Sequence, residues 1–203
     1  IFDDEAVCQA ARTEIVRRYY KALCDHRKGL LADDVIYKLE LLMKQAHVSI
    51  HDRTVVDAAL ERAENTGAAA AAIELPDGKI LTGKTSNLLG PSAALILNAL
   101  KDLAGIDHNL HVISPTAIEP IQKVKTQYLG SKNPRLHIDE ILIALSISSA
   151  ANPAAQLAME QLPKLKGCQV HTSVMLSSVD IKLFKKLGIQ LTCEPKYEHN
   201  PIY

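Results

Sequence analysis

Tryptophan is absent from these 203 residues, and aromatic residues together make up only 4% of them. Single-stranded nucleic acid is held on aromatic platforms interleaved with basic residues, and no such stretch occurs. An excess of charge is missing too, since 23 Lys and Arg stand against 23 Asp and Glu. That balance leaves no electrostatic footprint for a polyanion, so nucleic acid is not expected as a partner, while a small ligand is still open. No apolar run approaches the ~20 residues of a membrane span, and Ile1-Phe2-Asp3-Asp4-Glu5 carries neither the basic nor the apolar region of an export signal. A cytoplasmic protein without membrane contact is therefore expected. The start at Ile1 and the end at Asn200-Pro201-Ile202-Tyr203 suggest a piece of something longer. Cys8, Cys24, Cys168 and Cys193 lie far apart with no CxxC pair, which excludes a dense disulfide scaffold and predicts reduced, mostly buried thiols.

What is present is a core-forming chain, 47% hydrophobic. Apolar residues recur at helical spacing through Val7, Ala11, Ile15, Tyr19 and Leu23, then Ile36, Leu39 and Met43, then Val56, Leu60 and Ala63. This predicts a helical subdomain over 1–66. From Gly67 the texture changes: Ala68 to Leu75 and Lys79 to Lys84 flank Pro76-Asp77-Gly78, a turn signal that predicts a β-hairpin. Gly90-Pro91-Ser92 opens an apolar helix. Leu110 to Ser114 reads as a strand, Pro115 starts a second helix, and His137 to Ala151, apolar on nearly every face, reads as a buried helix. Strand, helix and strand follow over Gln169 to Cys193. The expected class is α/β (α+β), a three-layer mixed sheet with covering helices over 67–203.

Several motifs attract attention. Gly78 to Thr85 satisfies the phosphate-loop pattern GxxxxGK[ST], but its interior reads as a strand and Gly90-Pro91 interrupts the helix that should follow Thr85. The pattern is therefore taken as coincidence. The helix start at Gly90-Pro91-Ser92 has unpaired N–H groups, and with Lys84, Thr85, Ser86 and Asn87 upstream it is a candidate anion site. His108 and His111 stand on a loop beside Asp107, and His137 precedes Asp139 and Glu140 at a helix start. Neither set supplies the three or four ligands of a zinc site, so no metal or other cofactor is expected.

The hairpin, Thr82-Gly83-Lys84, a helix, then Ile113-Ser114-Pro115 and another helix resemble the cytidine-deaminase-like fold. That resemblance implies zinc ligands at two helix starts, but this chain offers Ser92-Ala93-Ala94-Leu95 at the first and Pro115-Thr116-Ala117-Ile118-Glu119 at the second. The resemblance thus implies a metal-free, deaminase-like sheet. At the level of sequence, Arg17-Arg18-Tyr19-Tyr20, Ala72 to Gly78, Thr82 to Ser86, Asn133 to His137 and Met159 to Cys168 resemble the C-terminal part of a bacterial family known as domain of unknown function 1846. The resemblance implies a protein of about twice this length, whose N-terminal half carries a glycine-rich segment like a nucleotide-phosphate loop. No activity comes with it.

Three readings of function follow. The chain is an accessory or ligand-binding module that docks on an N-terminal nucleotide-binding-like half; or part of an enzyme acting on a small anionic or nucleotide-like substrate; or a domain that assembles homo-oligomers. Candidate ligand-binding residues are Lys84, Thr85, Ser86, Asn87, Ser92, Ser114, Thr116, Glu119 and His137, and an enzyme would bring Lys84, Ser92, Thr116 and Glu119 into one pocket.

Overall fold

The structure, a computed structural model, describes residues 4–198; Ile1 to Asp3 and Asn200 to Tyr203, read above as the ends of a piece, lie outside the described residues. Pro76-Asp77-Gly78 turns β1 (Ala70–Glu74) into β2 (Ile80–Lys84), with Gly78 at φ +83° and the Asp77 carboxylate accepting the Lys79 N–H. The expected hairpin is thus present. Two later strands complete one sheet in the order β2-β1-β3-β4, where β3 is Gln169–Thr172 and β4 is Gln190–Cys193. β1 runs antiparallel to both of its neighbours, and β3 pairs with β4 in parallel. Consequently β2, β3 and β4 all end on the same edge.

Side chains alternate across β1 and divide the molecule into layers. Ala71 and Ile73 face a large core built with α4 (Pro91–Leu103), α6 (Ile138–Ser149), α7 (Pro153–Met159) and α8 (Ser178–Lys186). Ala72 faces Val55 and Ala59 of α3 (Thr54–Thr66) on the opposite side. The remaining helices are α1 (Asp4–Arg27) and α2 (Asp33–Gln45), which share a smaller core with α3, and α5 (Pro115–Lys123). The mixed α/β class read from the sequence holds. No helix among the described residues is long and apolar enough to cross a membrane.

The contact of α4 with β2 explains the glycine of the apparent phosphate loop. A Cβ added at Gly83 would fall under 3.0 Å from Leu95 N, Leu95 Cα and Ala94 C, all backbone atoms of α4. Gly83 therefore serves close approach of a helix to a strand.

Two expectations need correction. Leu110 to Ser114 forms no strand: both edges of β1 are occupied, by β2 and β3, and Val112 and Ile113 are buried in the core without entering a ladder. The segment is shaped instead by the Lys101 ammonium, which donates to the His108 carbonyl, and by Asp107 accepting from Asn109 N–H. The strand following α4, on which the deaminase-like comparison depends, is thus missing. Nor is α6 buried all round, since Ile143 and Ile147 are 61% and 71% exposed.

The sheet face toward α1 and α3 carries a buried polar chain. Arg53, 1% exposed, precedes α3 and donates to Thr192 Oγ1 (3.0 Å), Gln169 Oε1 (2.7 Å), and the Val170 and Gln190 carbonyls. Thr192 Oγ1 lies 2.8 Å from His171 Nδ1, whose Nε2 faces Glu194 Oε1 at 3.3 Å; the Tyr20 ring packs against the imidazole, tilted by 58° with centroids 4.8 Å apart. Thr192 Oγ1 accepts from Arg53 and has two acceptors for its one hydrogen, the Val170 carbonyl at 3.3 Å and His171 Nδ1 at 2.8 Å; donation across the shorter contact puts the His171 hydrogen on Nε2, on the side of Glu194. Burial lowers the Arg53 guanidinium to about 10, still cationic at neutral pH, and keeps His171 neutral by pushing its pKa down. Burial would raise the Glu194 carboxyl, but His171 and Tyr20 beside it outweigh that and hold it below its ordinary value. Arg53 and Glu194 thus stand at the two ends of a neutral Thr-His relay.

Candidate functional site

The edge on which β2, β3 and β4 end is where open α/β sheets place ligands. Loops leave it at Thr85, Ser173 and Glu194, and the first two lead into α4 and α8. The starts of three helices meet there around a cavity of about 120 Å³, lined by Gly90 and Pro91 at the start of α4, Leu136 and His137 just before α6, and Ser177 and Asp180 at the start of α8. An open groove of about 610 Å³ continues from it, lined by Glu64, Ala68, Ala69, Thr85, Ser173 and Lys196 among others. Arg135, Val174 and Glu198 line both.

Local sequence explains how these groups are held. Leu136 N donates to the Leu88 carbonyl and Gly90 N to the Leu136 carbonyl, tying the loop before α6 to the loop before α4. Buried Lys125 fixes the same loop by donating to the Arg135 carbonyl at 2.7 Å and to Glu140 Oε2 at 2.8 Å. Asp180, itself buried, accepts from His137 Nδ1 (2.9 Å), Ile138 N (3.1 Å) and Ser177 Oγ (3.2 Å). Glu198 Oε1 accepts from Arg135 Nη1 at 2.9 Å and Thr85 Oγ1 at 3.1 Å.

Asp180 bonded to His137 raises the imidazole pKa, against a smaller opposing effect of burial. A histidine whose folded pKa is raised contributes stability that is complete below its unfolded value, ~6.5, and disappears as pH rises through the folded one. Urea midpoints measured from about pH 5.5 to 8.5 should therefore step down for the wild type. His137→Gln should lack that step; an unchanged pH profile in the variant would assign it elsewhere.

Of the residues singled out from sequence, Thr85 lines the groove and His137 the cavity. Lys84 is exposed at the end of β2. Ser86 closes its own turn by accepting from Leu88 N and Leu89 N, and the Asn87 carbonyl accepts from Gln122. Ser92 is 1% exposed in the first turn of α4, its hydroxyl without a hydrogen-bond partner. Ser114 caps α5 by accepting from Thr116 N and lies 2.7 Å from the Thr116 hydroxyl, while Glu119 is exposed on that helix. Lys84, Ser92, Thr116 and Glu119 line no common cavity. Arg135 and Glu198, which line both spaces, and Ser177 and Asp180, which line the cavity, were not singled out. Among the described residues no three His, Cys, Asp or Glu side chains are grouped to hold a metal ion.

The comparisons bear out the family resemblance drawn from sequence, but not its assignment of the whole chain to the C-terminal part. The family model described as "Domain of unknown function DUF1846, C-terminal" matches residues 51–203, and its N-terminal counterpart matches 1–47. A UPF0371 protein of Corynebacterium efficiens is 56% identical over the whole chain, one of Corynebacterium glutamicum 53%, and one of Streptococcus uberis 46%. The chain spans 41% of the length of each of these relatives. With its C-terminal model matched over three quarters of the residues, the chain belongs to the DUF1846 family.

Proposed function

We propose that this chain is a ligand-binding module whose site is the groove at the carboxyl edge of β2, β3 and β4, and that it takes a small anionic ligand. The observation that carries this reading is which polar groups are left over. Of the three carboxylates lining the cavity and the groove, Asp180 is engaged by three donors and Glu198 by Arg135 and Thr85, while Glu64 is exposed on α3. The other groups left over are donors: the His137 Nε2 side and the Lys196 ammonium, whose charge also acts on Glu194, have no hydrogen-bond partner among the described residues, and the Ser173 hydroxyl, which accepts from Ala70 N, still has its hydrogen to give. Three helix starts add positive potential at the same place. His137 held by Asp180 is also an arrangement that can move a proton, so an enzymatic role on such an anion uses the same site.

A thermal-shift series with inorganic phosphate, pyrophosphate, AMP, ATP and citrate tests the reading. A ligand at 100 times its Kd adds about 2.7 kcal/mol, so at least one anion should raise the melting temperature, and His137→Gln with Arg135→Gln should remove the rise. Absence of any shift, or a shift indifferent to both substitutions, would refute it.

A second reading, docking against the remaining polypeptide of the longer family members, is favoured by exposed apolar residues on α1 and α2. Val7 and Tyr37 are both 62% exposed there. Running the same series on the full-length Corynebacterium efficiens relative separates the two: an anion that shifts only the longer protein favours docking.

A further inference from the structure

β4 is the last strand of the sheet, and its outer edge faces a cleft of about 470 Å³. Five consecutive residues, Ile189 to Cys193, line that cleft. Alternate strand residues point to opposite faces, so a cavity touched by all five runs along the strand's edge rather than over one face. The hydrogen-bond pattern agrees. Gln190 N donates to Cys168 O and Glu194 N to Thr172 O, so residues 190, 192 and 194 turn their backbone groups toward β3. Leu191 and Cys193 therefore turn theirs outward. Cys193 O accepts from Cys24 Sγ at 3.2 Å, which leaves the N–H and carbonyl of Leu191 directed into the cleft.

The two walls differ in chemistry. On the side of α1 stand Arg17, Lys21 and Lys28, with Asp25 as the one acid; on the side of α8 stand Ile181, Met175 and Leu176, with Lys185 at the rim. Arg17 is bonded to Glu14 and Lys21 to Asp25, but Lys28 and Lys185 have no ion-pair partner among the described residues. A strand added beside β4 would alternate its side chains between a basic wall and an apolar one.

We propose that this cleft is a docking site for an extended segment of another polypeptide in which acidic and aliphatic residues alternate, paired as a fifth strand on β4. Acidic side chains meet Lys21 and Lys28, aliphatic ones meet Ile181 and Leu176, and the Leu191 backbone supplies the ladder contacts. A second copy of β4 fits poorly, because pairing two copies edge to edge brings basic rims together.

The probe is a fluorescein-labelled eight-residue peptide of alternating glutamate and valine, followed by anisotropy against this chain. Saturable one-to-one binding is expected. It should weaken about tenfold with Lys28→Glu or Lys21→Glu through lost charge complementarity, and should vanish when the peptide is N-methylated at alternate residues along one edge. Leu191→Pro removes the outward donor without touching the β3 ladder, and should also abolish binding. If that variant does not fold, the exposed Lys28→Glu substitution decides alone. No binding, binding unaffected by charge reversal, or equal binding of an alternating lysine-valine peptide would overturn the proposal. So would binding by this chain but not by the full-length Corynebacterium efficiens relative, since the cleft would then be filled from within the same protein.

Discussion

Arg53→Ala should lower unfolding stability by about 3–5 kcal/mol, because several buried acceptors lose their donor at once, at about 1–3 kcal/mol each. The substitution removes the donors to Thr192, Gln169 and the Val170 and Gln190 carbonyls together, from a position with almost no access to water. Each acceptor then bears its own desolvation cost. The missing side chain also leaves a cavity between α3 and the sheet. Arg53→Lys should recover only part of the loss, since an ammonium cannot span acceptors that a planar guanidinium reaches as a fork. Urea denaturation of the three proteins checks this. A change under about 1 kcal/mol for Arg53→Ala, the size of a typical exposed ion pair, would mean that water replaces the guanidinium and that the relay is not a unit.

The second large effect is expected at Gly83. Its Cβ would occupy space held by the backbone of Leu95 and Ala94, and a backbone cannot swing aside as a long side chain can. Either α4 moves off β2 or the hairpin bends, so Gly83→Ala should destabilise by about 3 kcal/mol, at the upper end for overpacking. Gly78→Ala is the contrast. Gly78 has φ +83° with nothing within 4 Å of an added Cβ, so only backbone strain is incurred, about 1 kcal/mol. If the glycines belonged to a phosphate loop, both substitutions would act through nucleotide affinity and spare the melting temperature. Thermal unfolding of the two variants, with and without ATP, separates these accounts.

The two glycines also show what could be read in advance. Pro76-Asp77-Gly78 between apolar runs has one economical solution, and the hairpin followed from it. Helical spacing located α1, α2 and α3 in the same way, because period and partner surface are both local properties. Leu110 to Ser114 misled for a physical reason: an apolar run buried beneath helices has the composition of a strand, and only the occupancy of the edges of β1 decides whether it can pair. The site divides along similar lines. Thr85 and His137 stood out as polar residues at element ends. Asp180 and Glu198 did not, because their roles come from contact with segments tens of residues away. Arg53 gave no signal at all; a lone arginine before a helix is ordinarily solvated, and its burial depends on β3 and β4 closing over it.

The position of β1 has a consequence for how the chain acquires its structure. β1 meets β2 across a three-residue turn, but its other edge is completed only by β3, about a hundred residues further on. On a ribosome adding about 5–20 residues per second, the hairpin would wait on the order of 5–20 s with one edge of an alanine-rich strand unpaired. Long-range pairing of this kind is slow to form and exposed to mispairing in the interval. The small side chains that let α3 and α4 approach β1 from both faces offer little apolar surface for wrong partners to bury. The central strand is thus built to stay unattractive until its distant neighbour has been synthesised.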